Sequence, residues 1–368
     1  MKLYVLQTHL LTALTKIGKI ISPRAQLPIL QNFLIEAKNN KLTIAGTNTE
    51  TSMVTHVAAK IEKEGGVCVP AKLFTEFIMT LPDDAVSVNF KDSVVTAKCN
   101  GYEASLPCVV KEEFPPIPHE GKTMGIHIPK ETLLSALDGV LYAAATDEGR
   151  PVLTGIKIRK SDEDTLFVAT DGYRLSLRRV LLAMEGKNDI TIPARALTEV
   201  VHVGQENKEE ETITMKNIDE TQLGFFVGDT EIYTRVIDGE YPNFEKILPK
   251  HHTTRTILNT EAFTRAVKSA SIFARDNANI IKIHITKGEF VVSANTPEIG
   301  QNKIIIESDT DGEGGDIAFN SRFVLDFLNH FSDEKVVFEM TGSLNPGVFK
   351  PAGEDDFLHI IMPVRTAN

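Results

Sequence analysis

A nine-residue pattern that occurs three times constrains this chain more than any other feature. Pro70-Ala71-Lys72-Leu73-Phe74-Thr75-Glu76-Phe77-Ile78 aligns with Pro193-Ala194-Arg195-Ala196-Leu197-Thr198-Glu199-Val200-Val201 and with Asn320-Ser321-Arg322-Phe323-Val324-Leu325-Asp326-Phe327-Leu328. Seven of the nine columns keep their chemical type, the first and sixth excepted, with a basic residue near the start, an acid four places later and apolar positions at helical spacing. A second pattern recurs at the same period of roughly 120 residues. A β-prone run (Leu42 to Ala45, Leu166 to Ala169, Phe290 to Ser293) leads into a turn signal. The turns are Thr47-Asn48-Thr49-Glu50-Thr51-Ser52, Thr170-Asp171-Gly172-Tyr173-Arg174-Leu175-Ser176 and Ala294-Asn295-Thr296-Pro297-Glu298-Ile299. Asn or Asp beside a small residue is turn chemistry, because the short side chain bonds the backbone two or three residues on. A repeat at this period fixes the architecture before any local assignment does.

Each third also opens on an amphipathic stripe. Leu10, Leu14, Ile17 and Ile21, then Leu133, Leu137, Val140 and Ala144, then Phe263, Val267, Ala270 and Ala274 each fall on one helical face. Pro129 suits the opening of the second of these helices, and Asn259 or Thr260 the cap of the third. Between the two helices of each third lie β-prone segments: Ile29 to Ala37 and Lys41 to Ala45, Val152 to Arg159 and Thr165 to Ala169, Ile280 to Thr286 and Glu289 to Ser293. More strands close each third, ending near Phe114 to Pro118, near Tyr241 to Pro249, and at Phe357 to Arg365. The reading is an α+β chain of three tandem domains, residues 1–122, 123–250 and 251–368, joined by linkers at His119 to Lys122 and Lys250 to Arg255. Each domain is a doubled βαβββ unit with mostly antiparallel pairing. The acidic stretches Glu206 to Glu211 and Asp309 to Asp316 read as solvated loops.

Composition narrows the function. Thirty-nine Lys and Arg against 50 Asp and Glu leave a formal charge of -11, so any polyanionic partner must meet a local basic face. The three Cys, Cys68, Cys99 and Cys108, form no CxxC pair and read as reduced thiols of a cytoplasmic protein. The N-terminus carries no export signal pattern, and no apolar run approaches the ~20 residues of a membrane span. Phosphate-loop, nucleophile-elbow and zinc-protease signatures are absent, and His251-His252 reads as a solvated pair, so the reading is a non-enzyme without cofactor or metal. Lys72, Arg195 and Arg322 are the informative charges. Each sits in the first turn of its helix, where the dipole disfavours a cation, and precedes its acid in the weaker order. One account is a loose surface ion pair; the other is a ring of cations facing phosphates.

Longer stretches carry a family likeness. Leu27-Pro28-Ile29-Leu30, Arg150-Pro151-Val152-Leu153-Thr154-Gly155-Ile156, the Thr170 to Ser176 turn, Gly239-Glu240-Tyr241-Pro242 through Ile247-Leu248-Pro249, and Ile360-Ile361-Met362-Pro363-Val364-Arg365 run in order along the chain. Together they resemble the sliding clamps, or β subunits, of bacterial DNA polymerase III. The resemblance implies a DNA clamp fold that closes as a head-to-tail homodimeric ring, helices lining the bore and sheets outside, around duplex DNA of any sequence. It implies a processivity factor of DNA replication that tethers the replicative polymerase, is placed by a clamp loader, and receives repair and other polymerases through a short hydrophobic motif. Helix dimensions agree with two chains: six helices at about 10 Å each give a circle only about 19 Å between axes, whereas twelve give about 38 Å and a bore near 28 Å. Only the larger passes a duplex about 20 Å wide.

The likeness also implies roles for particular residues. Leu153, Thr170, Gly172, Tyr173, Arg174, Leu175, Pro242, Ile247, Ile361, Met362 and Pro363 correspond to an apolar cleft that takes partner peptides. Arg24 and Arg150 join Lys72, Arg195 and Arg322 as DNA-facing cations, and Leu106 faces Ile272 and Phe273 across the dimer joint. Lys246, Pro346 and the tail Thr366-Ala367-Asn368 depart from the family pattern around the cleft. A competing reading is a monomeric repeat scaffold that binds short hydrophobic peptides without encircling DNA.

Overall fold

A computed structural model describes the chain except residues 120–123, 148, 162, 183–188, 298–299, 332 and 366–368. The last two residues of the third turn signal, part of the first linker and the C-terminal tail therefore lie outside the described residues, while Ala294 to Thr296 of that signal end the strand Glu289–Thr296. The described residues form six α-helices: α1 Gln7–Gly18, α2 Ala71–Met79, α3 Lys130–Asp138, α4 Ala194–Glu206, α5 Thr260–Ala274 and α6 Ser321–Asn329. Around them each third has the order βαββββαβββ, the doubled βαβββ unit, with the short strands Lys60–Lys63, Val109–Val110 and Asp309–Gly312 added.

The chain folds as two compact units, residues 1–134 with 195–236 and residues 135–194 with 237–368. Among the described residues all strand pairings are antiparallel, and the sheets ignore the sequence repeats. In the first unit a nine-stranded sheet crosses from the first third into the second where Thr51–Ala58 pairs with Thr230–Arg235. In the second unit another nine-stranded sheet crosses from the second third into the third where Arg174–Val180 pairs with Phe357–Ile361. Both seams use the same pieces, the strand after the turn signal of one repeat and the last strand of the next.

Local sequence accounts for most element ends. Asn259 accepts a hydrogen bond from the Ala262 N–H and Asn320 one from the Arg322 N–H, each capping its helix as the sequence suggests for α5. The stripe of α5 lies inside one helix, with Phe263, Val267, Ala270 and Ala274 all buried. The other two stripes outlast their helices. The helix α3 stops at Asp138 before Gly139, and Val140 and Ala144 reach the core from the following turn and a 3-10 segment, Leu141–Ala143. Past the end of α1 at Gly18, Ile20 is buried and Ile21 only half-buried. Two β-prone segments start later than expected, because Pro28 and Pro151 open 3-10 turns, Pro28–Gln31 and Pro151–Thr154, before the strands Asn32–Lys38 and Gly155–Lys160. The acidic stretch at 309–316 is not all loop: Asp309–Gly312 pairs with Thr254–Asn259 as a charged edge strand, a device that blunts an open edge.

Candidate functional site

Most of the turn at Thr170 is held by its own side chains. The Thr170 hydroxyl donates to the Arg174 carbonyl at 2.6 Å and accepts from the Gly172 N–H at 3.0 Å. One Asp171 carboxylate oxygen accepts from the N–H groups of Tyr173 (2.9 Å) and Arg174 (3.0 Å). Gly172 has φ of +92°, where a side chain is strained, and a Cβ there would lie 3.0 Å from the Arg150 guanidinium. That guanidinium donates to the Asp171 carbonyl at 3.0 Å. The seam strand completes the support, with the Met362 N–H donating to the Tyr173 carbonyl at 2.9 Å.

Beneath the turn Arg174 is nearly buried and fully used. Its guanidinium meets Asp171 at 3.1 Å, Asp326 of α6, and the Tyr142 carbonyl at 2.6 Å, and stands 4.6 Å from the Phe323 ring centre. Beside it His359 is fully buried. Its Nδ1 lies 2.7 Å from the Ser176 hydroxyl and 3.3 Å from the Tyr142 hydroxyl, and its ring stacks on Phe327. Burial, and then the Arg174 charge, push the His359 pKa well below the ordinary value, so the imidazole is neutral at physiological pH. Burial likewise raises the Tyr142 hydroxyl above its usual range.

On the other side of the sheet an apolar cluster gathers most of the expected cleft. Leu153 and Leu175 are buried in it with Val348, Ile360, Tyr241 and Phe244, and Ile247 packs against them half-buried. Ile361, the cross-strand partner of Arg174, points into the core of the third repeat instead. Tyr173 (64% exposed) and Met362 (40%) stand out from this surface, with Pro242 exposed and Pro363 half-buried. The cluster continues through Leu248, Val348 and Leu358 into a small cavity of about 270 Å³ that Pro346 and the linker residues Lys250 to His252 also line. Such a surface offers apolar walls and a few backbone groups at a rigid turn, which suits an extended apolar peptide. Sequence reasoning missed the Tyr142, Ser176 and His359 cluster, because its members lie far apart in the chain; only a lone His in an apolar closing strand signalled it.

The remaining expected residues lie elsewhere. Lys72, Arg195 and Arg322 each occupy the second position of their helices, α2, α4 and α6, and all are exposed. Lys72 stands 4.0 Å from Glu76, but Asp326 is engaged by Arg174 and Glu199 lies 3.4 Å from His202. Arg24 and Arg150 are exposed. Ile272 is 56% exposed on α5 and Phe273 half-buried, whereas Leu106 is only 7% exposed, so its side chain belongs mainly to the core of the first repeat. The described residues contain no His, Cys, Asp and Glu cluster able to hold a metal, and no helix among them is long and apolar enough to cross a membrane.

Comparison with known proteins gives one answer along the whole chain. Models of the N-terminal, central and C-terminal domains of the DNA polymerase III beta subunit match residues 1–118, 127–243 and 245–365. The beta sliding clamp of Staphylococcus aureus is 29% identical over 381 aligned positions, and that of Staphylococcus epidermidis 28% over 379, each covering 100% of both chains. The crystal structure of the Bacillus subtilis DNA polymerase sliding clamp superposes with a TM-score of 0.93 at 26% identity. A Bartonella birtlesii DnaN sliding clamp, solved with griselimycin bound, gives 0.94 at 25%, and both pairs are covered over 100% of each chain.

Proposed function

This chain belongs to the DNA polymerase III beta subunit family, and from that premise we propose that it acts as a DNA sliding clamp. Two copies join head to tail into a ring around duplex DNA and tether the replicative polymerase. The protein catalyses nothing itself. One observation carries the reading. Both seams within the chain join the strand after a turn signal to the last strand of the next repeat. The third repeat has that first strand, Gly300–Glu307, at the open edge of a four-stranded sheet, and the first repeat has that last strand, Tyr102–Pro107, at the open edge of a five-stranded one. A second copy supplies the missing partner to each, and two such contacts close on themselves.

The side chains near these edges fit a joint. Ile305 (55% exposed) lines a groove of about 930 Å³ between α5 and its edge strand, and Ile272 (56%) is exposed on the same helix, while Tyr102 (51%) and Leu73 (52%) stand on the other edge and on α2. Ile272 and Phe273 supply apolar contact, and Leu106 stiffens the strand that meets them. In the ring Lys72, Arg195, Arg322, Arg24 and Arg150 face the DNA backbone. Sparse cations on an acidic chain hold the duplex weakly, so encirclement retains the ring while weak contacts let it slide. The apolar surface at Tyr173, Leu175, Pro242, Ile247 and Met362, with its neighbours Leu153, Thr170, Gly172, Arg174, Ile361 and Pro363, receives short hydrophobic motifs of polymerases, the clamp loader and repair proteins.

Small-angle scattering with absolute mass tests the assembly. A hollow particle of twice 40.6 kDa is expected. A compact or elongated monomer across micromolar concentrations would refute the ring and favour a monomeric peptide scaffold.

A further inference from the structure

The first seam repeats five hydrogen bonds of the cleft turn, those of the Thr170 hydroxyl, the Asp171 carboxylate with the turn backbone, and Met362 with Tyr173. The Thr47 hydroxyl donates to the Thr51 carbonyl and accepts from the Thr49 N–H, both at 3.1 Å, as Thr170 does with Arg174 and Gly172. Asn48 accepts from the N–H groups of Glu50 (3.1 Å) and Thr51 (2.8 Å), as Asp171 does from Tyr173 and Arg174. The Arg235 N–H donates to the Glu50 carbonyl at 3.2 Å, as Met362 does to Tyr173. Thr49 even adopts φ of +80°, beside +92° at Gly172. The backbone of a peptide cleft is therefore present twice.

The side chains laid on it differ. Cross-strand register puts Tyr233 opposite Ser52 and Gly224, where Ile360 stands opposite Leu175 and Val348. Tyr233 is 1% exposed, and its ring meets Phe226 edge to face at 5.9 Å. Phe226 lies over Gly224 so closely that a Cβ there would be 2.9 Å from its ring. The aromatic pair stands where Ile360 and Lys350 stand at the second seam, with the Phe226 ring covering the place of Val348. It is also pinned, because the Tyr233 hydroxyl donates to Glu231 at 2.6 Å and Glu231 lies 3.1 Å from His56. At the rim Glu50 and Arg235 take the places of Tyr173 and Met362, and polar Ser52 that of Leu175.

We infer that the first seam is a copy of the cleft closed by the chain's own Tyr233 and Phe226, and that these two residues confine hydrophobic peptides to the second seam. The inference rests on the cleft reading proposed above. It assigns specificity to occupied volume, since the supporting backbone is the same at both places.

The test gives the first seam the residues of the second. The register sets Tyr233 against Ile360 and Phe226 against Lys350, so the variant is Phe226→Lys with Tyr233→Ile. The probe is a fluorescein-labelled peptide of about six residues bearing two leucines and a phenylalanine, titrated by calorimetry against the full chain. Wild type is expected to bind one peptide per chain and the double variant two. The double variant is also expected to bind one when Ile360→Tyr, Lys350→Phe and Val348→Gly transplant the aromatic pair and so close the second seam. A folded double variant that still binds one would overturn the inference. If the variant does not fold, a diazirine-bearing peptide on the wild-type chain decides: labels near residues 241–248 and 360–363 alone support it, and labels near 50–52 or 233–235 overturn it. A wild-type chain that binds no peptide would sink the cleft reading and this inference together.

Discussion

Replacing Arg174 with Ala removes the group that ties the cleft turn to the helix α6. Its side chain is only 9% exposed, and it makes ion pairs to Asp171 and Asp326 and a hydrogen bond to the Tyr142 carbonyl. Removing one member of a buried charged network costs about 3–5 kcal/mol. Asp326 is 41% exposed and rehydrates once released, and Asp171 keeps two backbone donors, so the lower end, about 3 kcal/mol, applies. In a cooperative unit of ~200 residues each kcal/mol moves the midpoint by about 2–4 °C, giving a fall of about 6–12 °C. Calorimetric melts of wild type, Arg174→Ala, Asp326→Ala and the double variant measure this and the coupling within the pair, expected at about 1–2 kcal/mol. An Arg174→Ala midpoint within about 2 °C of wild type would refute the reasoning, because it would show that the buried guanidinium holds nothing.

His359 has a folded pKa depressed below its unfolded value, so the fold is favoured above about pH 6.5 and that advantage is lost as pH falls through about 6.5 toward the folded pKa, by about 1.4 kcal/mol per unit. Urea unfolding at pH 7.5 and 5.5 should show a shallower pH loss in His359→Gln than in wild type; equal slopes would exclude His359 as the source. Thr49→Gly should stabilise the first unit by about 1 kcal/mol, since a β-branched residue at φ of +80° is strained where glycine is not, and a lowered melting midpoint would contradict this. Ile272→Glu with Ile305→Lys should bring the solution mass from twice 40.6 kDa to 40.6 kDa, and an unchanged mass places the joint elsewhere.

The three repeats, both helices of each and the first two turn signals are legible in the sequence because local chemistry decides them. The nine-residue pattern lands on α2, α4 and α6, and Asn259 caps α5 as its position suggests. The elements the sequence misjudges are those where a longer-range contact overrides the local signal. Val140 and Ala144 keep helical spacing yet leave the helix at Gly139, because a 3-10 turn delivers them to the same core. Asp309 to Gly312 is acidic enough to read as loop, but the edge of Thr254–Asn259 offers it a ladder. The Thr170 turn is readable as a site, whereas its support is not. Ser176, His359, Tyr142 and Asp326 come from four separated segments, and only the folded sheet brings them behind Arg174.

The seams also show how the repeats depend on one another. A single repeat standing alone would leave both the strand after its turn and its last strand without a partner, two open edges that invite association with other chains. Three repeats in one chain pair two sets of these edges internally, at the two seams, and leave one set, Gly300–Glu307 and Tyr102–Pro107, at the open edges of their sheets. The contrast between an aromatic pair at one seam and an aliphatic floor at the other is the kind of difference that only a fused chain can keep, because identical subunits must carry identical seams.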